Sequence, residues 1–217
     1  LIYEIGTTVT QEQLVLDANI TVADNSGAVI LPVIDLSTLD ANQIGTYIVN
    51  VTATDDNGNT AIAGQITIHI VDTTGPSITG NTNVHYEAGT SVTATEFLLD
   101  ANIEVTDNSG ATIIPTVDLS LVDFNLPGTY IVTVVAEDNQ GNTTTFIVSI
   151  IIDDSVAPTI QITTNTLTYE IGATLTSEQI IADAGIIVTD NSSLAITPAI
   201  DLNAVNANVV GTYTVTI

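Results

Sequence analysis

Gly45-Thr-Tyr-Ile-Val-Asn-Val-Thr-Ala-Thr-Asp-Asp-Asn-Gly-Asn59 decides the fold. From Thr46 to Thr54, Tyr47, Val49, Val51 and Ala53 fall on alternate positions, the period of a strand with one face in a core. Asn57-Gly58 is the residue pair that a tight hairpin favours, so Ala61 to Val71 reads as the return strand. The same text recurs 83 residues on, with Gly128-Thr129-Tyr130, a strand to Ala136, the turn Asp138-Asn139-Gln140-Gly141-Asn142 and a return strand from Thr143 to Ile152. Gly211-Thr212-Tyr213 opens it a third time. Tyr3, Tyr86 and Tyr169 keep the interval, as do Asp24, Asp107 and Asp190, and Pro32, Pro115 and Pro198. A fixed period of this length means one small domain copied in tandem.

Each copy opens on a short apolar segment: Leu1 to Ile5, Val84 to Ala88 and Leu167 to Ile171. Thr10 with Gln13, Thr93 with Glu96, and Thr176 with Gln179 then fit the spacing of a capped helix start, followed by apolar residues for one or two turns at most. Ile20 to Ala23 reads as strand-like, the cluster Asp24 to Gly27 as a turn, and Ala28 to Leu36 as an edge or bulged strand because of Pro32. About seven short strands per repeat describe an antiparallel sandwich. The expected architecture is all-β: tandem immunoglobulin-like β-sandwich domains in an elongated array. The repeats are placed at 1–72 (first strand incomplete), 73–154 and 155–217 (truncated in the sixth strand, F). The linkers 72–76 and 153–158 are short, and each ends in proline, which restricts motion between units.

The immunoglobulin-like version rests on Asp40…Gly45-Thr46-Tyr47 and its counterpart Asp123…Gly128-Thr129-Tyr130. This spacing is similar to the tyrosine corner, in which a tyrosine near the start of strand F bonds back to the chain upstream. Val49, Val132 and Val215 stand where an antibody domain has cysteine. The 45–59 string also resembles the G-T-Y-x-V-x-x-x-A-x-D-x-x-G-N signature of bacterial immunoglobulin-like repeats. Tyr86-Glu-Ala-Gly89, Asp107-Asn-Ser-Gly110 and Val117-Asp-Leu119 resemble the preceding blocks of the same repeats. Such repeats are common in large adhesins of Gram-positive bacteria, Listeria among them. The resemblance covers the whole chain and implies a stalk or adhesion role at the cell surface. Relatives usually carry lysines, and this chain has none.

Composition excludes several functions. The 217 residues hold 25 Asp and Glu, no Lys, no Arg and no Cys, for a net charge of −25. With nothing to neutralise phosphates, nucleic-acid binding and attraction to anionic membrane surfaces are ruled out. Lysine-dependent isopeptide crosslinks and disulfides cannot form, and trypsin-like proteases find no cleavage site. Apolar residues at 45% nonetheless allow each repeat a core, so the acidity does not imply disorder. No apolar run is long enough for a membrane-spanning helix. There is no G-x-S-x-G elbow, and carboxylate pairs such as Asp55-Asp56 sit in turns, so no enzyme is expected.

An acidic chain without cations is a natural host for calcium, which prefers oxygen ligands. In tandem immunoglobulin-like units the exit of one strand G meets the BC and FG loops of the next. That places Asp72 near Asp107, Asn108, Glu137 and Asp138, and Asp153 and Asp154 near Asp190 and Asn191. The same Asp and Asn residues also serve as turn-formers, and both readings stand at this stage. His69 aligns with Ile152 and His85 with Thr168, so neither histidine recurs. Sequons at Asn19, Asn50, Asn142 and Asn191 are of the kind that arises by chance in an Asn/Thr-rich chain. The expected function is an extracellular stalk or spacer of a bacterial adhesin or surface fibre, its junctions stiffened by calcium. Its partners would be neighbouring repeats of the same chain, other copies in a fibre, and a host surface or glycan reached through a domain outside this window. Two alternatives are a filament subunit polymerised by strand addition and a glycan- or host-protein-binding module.

Overall fold

Alternating burial shapes the longest strands. In the computed structural model β1 spans Ile2–Glu4, α1 Gln11–Asp17, β2 Val33–Asp35, β3 Gly45–Thr54 and β4 Thr60–Val71. The structure describes residues 1–217 except for the side chains at positions 62 and 63. These four strands form one sheet in the order β1-β4-β3-β2. Val49, Val51 and Ala53 turn inward from β3, and Val49, Val51, Ile68 and Ile70 close on Ile5, Leu14 of α1 and Ile34 of β2. Burying a side chain of this size contributes about 1.5–3 kcal/mol, so seven of them suffice for a core without a disulfide.

The second repeat carries β5 Ser77–Thr79, β6 Asn83–Glu87, α2 Ala94–Asp100, β7 Glu104–Thr106, β8 Thr116–Val117, β9 Gly128–Glu137 and β10 Thr143–Asp153. Its main sheet runs β6-β10-β9-β8, and β5 pairs antiparallel with β7 in a separate two-stranded sheet. The third repeat provides β11 Thr159–Ile162, α3 Ser177–Ala184 and β12 Ile186–Thr189, with β11 antiparallel to β12. Chain packing divides the molecule into two compact units. Leu1–Asn81, Asn102–Val117 and Thr133–Ile147 make the first; Thr82–Ala101, Asp118–Val132 and Val148–Ile217 make the second.

The structure departs from the sequence expectations in five places. The sandwich is not wholly antiparallel: β1 pairs parallel with β4, and β6 parallel with β10. Of the expected strand from Ala28 to Leu36 only Val33–Asp35 forms, as an edge strand beginning just after Pro32. The proline lacks the N–H that an extended ladder needs. Residues 20–23 are not a strand, although the equivalent β7 and β12 are, since each of those has an added strand (β5, β11) to pair with. Residues 167–171 form no strand either; β1 and β6 get their partners from β4 and β10, and nothing equivalent pairs with 167–171. Finally, the β3–β4 register shifts between Val51 and Thr52, beside Gly64 at φ +154°. Ile2 therefore faces His69 while His85 faces Ile151, so Ile151 rather than Ile152 is the counterpart of His69.

The tyrosine corner recurs three times. Tyr47 donates to the Gln43 carbonyl at 2.9 Å, Tyr130 to Leu126 at 3.0 Å and Tyr213 to Val209 at 3.0 Å. Gly45 lies against this ring: a Cβ there would touch the Tyr47 ring at 3.4 Å, ordinary contact distance. Each short helix starts where the threonine spacing places it, capped by Thr10, Thr93 and Thr176.

Candidate metal centre at Asp72, Asp107 and Asp138

The site is built by turns. Asp138 follows β9, and its Oδ1 accepts from the backbone N–H groups of Gln140 and Asn142 at 2.8 Å each, and its Oδ2 accepts from the Asn142 amide at 2.7 Å. Burial pushes this carboxyl up, but the Asn142, Gln140 and Gly141 hydrogen bonds prevail and hold it below the usual carboxylate range. Asp107 opens the turn after β7, its Oδ1 accepting from the Ser109 N–H at 2.9 Å and from the Ser109 hydroxyl. Asp72 follows β4, and Asn142 reaches across to donate to its backbone carbonyl at 3.2 Å. All of these residues belong to the first compact unit.

Together they bring carboxylate oxygens of Asp72, Asp107 and Asp138 within 4.8 Å of one another. Asp72 and Asp138 are only 6% and 7% exposed. Asp72 Oδ2 and Asp107 Oδ2 are buried without any hydrogen-bond partner among the described residues. Desolvation, together with the charges of Asp107, Asp138 and Glu4, raises the Asp72 carboxyl above its ordinary value, only partly offset by the Thr74 N–H. An unpartnered buried carboxylate oxygen is costly, and two of them facing a third acid are more so. The donor set, all carboxylate oxygen with lone pairs free, fits a hard divalent cation.

The remaining residues expected at the two junctions are placed otherwise. Asn108 points its amide nitrogen at Glu4 Oε1, 3.1 Å away. Glu137 is exposed on β9 and outside the cluster, because alternation along the strand sends it opposite to buried Ala136 and Asp138. At the second junction Asp153 pairs with His85 at 2.8 Å, Asp154 is exposed, and Asp190 accepts from Ser192 N–H and hydroxyl. These three form no carboxylate group with metal-ligand spacing among the described residues. Strand register corrects the alignment of the junction acids: Glu4 faces Val71 and Glu87 faces Asp153, so the counterpart of Asp72 is Asp154 and that of Asp153 is Val71.

Two recurring interactions escaped the sequence reading. Tyr3, Tyr86 and Tyr169 donate to Asp17, Asp100 and Asp183 at 2.5, 2.8 and 2.7 Å, tying each opening segment to its helix. The signal was there, since the three aspartates keep the 83-residue interval. The other is the grip of Glu4 and Glu87 on the linkers. Glu4 accepts from Thr73 N–H at 2.8 Å and Thr74 N–H at 3.1 Å, and Glu87 from Ser155 N–H at 2.9 Å. These bonds hold both carboxyls down at about 2.

Fold and site together define a set of tandem immunoglobulin-like repeats with an acid-lined linker contact. The family model described as Internalin K domain (D3/D4) matches residues 1–70 and again 76–152, about two thirds of the chain. The chain belongs to that family, immunoglobulin-like repeats of a Listeria surface protein, which are extracellular domains. No curated protein matches it. Among solved structures it is similar to protocadherin gammaB7 EC3-6, at 15% identity and TM-score 0.35, covering 75% of this chain and 48% of that one. Human CDH23 EC21-23 matches at 13% identity and TM-score 0.32, covering 71% and 57%. Protocadherin Gamma B7 domains 1-4 match at 16% and 0.30, covering 80% and 51%. The chain thus spans about half the length of the structures it matches. Among the described residues no helix is long and apolar enough to cross a membrane.

Proposed function

We propose that the chain is a spacer segment of an extracellular surface protein, and that a calcium ion on Asp72, Asp107 and Asp138 stiffens the link between its first two repeats. The observation that carries the cation is the pair of buried oxygens without partners, Asp72 Oδ2 and Asp107 Oδ2, aimed into a three-carboxylate cluster. A divalent ion offsets the repulsion among three acids that no lysine or arginine of this chain can relieve. Calcium takes about six to eight oxygens in flexible geometry, so the cluster supplies part of the shell and solvent the rest; magnesium demands a stricter octahedron. The linker is packed in its own right: Pro76 is fully buried, and Gly75 lies so close to β10 that a Cβ would meet Thr144 Oγ1 at 2.9 Å.

We also read the chain as non-enzymatic. Its two histidines are engaged between strands, His69 with Thr46 at 3.0 Å and His85 with Asp153. The partners we assign are neighbouring repeats, with a host ligand engaged elsewhere in the parent protein.

The test is solution scattering and thermal melting of the chain in calcium and then in excess chelator. Chelation is expected to lower the melting temperature and broaden the distribution of end-to-end distances. If both observables stay put, the acids are turn and solubility residues, and the link depends on linker packing alone.

A further inference from the structure

Glu4 is the most heavily bonded carboxylate near the cluster, yet it is outside it. Its Oε1 accepts from Thr73 N–H at 2.8 Å, Thr74 N–H at 3.1 Å, the Thr74 hydroxyl at 2.9 Å and the Asn108 amide at 3.1 Å; its Oε2 accepts from the Thr73 hydroxyl at 2.9 Å. Four of those five bonds crowd Oε1 and the fifth takes Oε2, and Glu4 is not among the carboxylates with metal-ligand spacing. What matters is whom it holds. Thr73 is the residue after Asp72, and Asn108 is the residue after Asp107. One side chain on β1 therefore grips both segments that bring an unpartnered carboxylate oxygen to the cluster, while Asn142 ties the third, Asp138, to the backbone of Asp72.

We propose that Glu4 is the positioning residue of the cation site: it sets the separation of Asp72 and Asp107 without binding the ion. The inference rests on the cation reading above and adds the residue that pre-organises it. Outer-shell partners of metal ligands typically contribute about 10–100-fold in affinity, because ligands held in place lose less freedom on binding. Glu87 is a matched comparison. It grips Ser155 and Asn191 in the same way one repeat later, at 2.9, 2.7 and 3.0 Å, and touches none of the three acids.

The experiment is calcium titration of the full 217-residue chain by competition with a chromophoric chelator, with the melting temperature of each calcium-free variant measured alongside. Glu4→Ala is expected to weaken calcium binding by about tenfold or more, and Glu87→Ala to leave it unchanged. Two further variants separate position from charge. Glu4→Gln keeps an acceptor at the Oε1 position and loses the charge, and is expected to bind within about threefold of the unsubstituted chain, since neutral bonds, at about half the strength of charge-assisted ones, still hold both segments in place. Glu4→Asp keeps the charge but is a methylene too short, and should resemble Glu4→Ala. The reverse ranking, with Glu4→Asp strong and Glu4→Gln weak, would make Glu4 a source of field and overturn the proposal. So would equal weakening by Glu87→Ala, or unaltered binding in Glu4→Ala. If the unsubstituted chain itself does not bind calcium, the cation reading falls and this inference with it; binding that only the Glu4 variants fail to alter sinks the positioning role alone.

Discussion

Tyr130 spends its hydroxyl on one backbone carbonyl, Leu126, and that single bond closes the connection leading into β9. Tyr130→Phe removes the donor and keeps the ring, so it should lower stability by about 1 kcal/mol, read as the shift in a denaturant melt. An unchanged midpoint would mean that ring packing alone holds the corner. Tyr3 makes a different kind of bond. Burial first, then the Asp17 carboxylate that accepts its hydroxyl, raises its pKa from 10.0 to about 12. A folded pKa above the unfolded one means that the stability is fully present below pH 10 and drains away as pH climbs through about 12. Tyr3→Phe should flatten the alkaline limb of the stability profile over that window and leave the profile at neutral pH nearly parallel. A limb as steep in Tyr3→Phe as in the parent would rule this out. The tyrosine corner was legible from spacing because donor and acceptor lie four residues apart; the Tyr3–Asp17 bond spans fourteen and needed the aspartate period as well.

At the scale of elements, three helices of one design differ by a single atom type. Thr93 and Glu96 cap each other reciprocally: the Glu96 N–H donates to Thr93 Oγ1, and Glu96 Oε2 accepts from the Thr93 N–H. Gln13 and Gln179 occupy the same position in α1 and α3, yet their amides turn instead to Asp17 and Asp183. Thr93→Ala keeps the backbone half of its box but loses the Glu96 N–H bond to Oγ1 and the hydroxyl's own bond to Glu96 Oε2, and should cost about 1–2 kcal/mol, whereas Thr10→Ala loses one bond and should cost about half as much. Equal losses in chemical denaturation would show that the hydroxyl's bond to Glu96 adds nothing. The helix ends also share one solution. Asn19, Asn102 and Gly185, spaced at the repeat interval, all take a left-handed φ of 50°, 49° and 57°, the conformation that asparagine and glycine tolerate best. Asn19 thus has a backbone role where the sequence showed only a sequon. Helix starts were legible because a cap is local chemistry. The bulge beside Gly64 was not, since nothing at that position distinguishes a glycine in a strand from one that shifts a register. That one-residue shift makes the exposed Asp154, and not the His85-paired Asp153, the counterpart of buried Asp72. Spacing put Asp72, Asp107, Asn108, Glu137 and Asp138 at one junction as ligands, but which carboxylates converge is decided by the strands that carry them.

For the whole molecule the governing fact is a charge of −25 with no Lys or Arg to balance it. Any salt should therefore stabilise it by screening self-repulsion, and a rise in melting temperature with calcium would by itself say little about a site. The specific part must be isolated. At fixed ionic strength, replacing part of the sodium by calcium should raise the melting temperature further than replacing it by magnesium, because the cluster offers carboxylates without an imposed octahedron. Asp107→Asn supplies the decisive comparison. It removes one of three converging charges and leaves Oδ1 able to accept from Ser109, so the calcium-free chain should melt higher than the parent, while the calcium-dependent increment should vanish. That opposition follows from a site that is costly when empty and favourable when filled. A surface acid acting only through the overall charge would, when neutralised, raise the melting temperature slightly and leave the calcium increment intact. If Asp107→Asn behaves in that second way, the three acids are no more than part of the chain's general negative field.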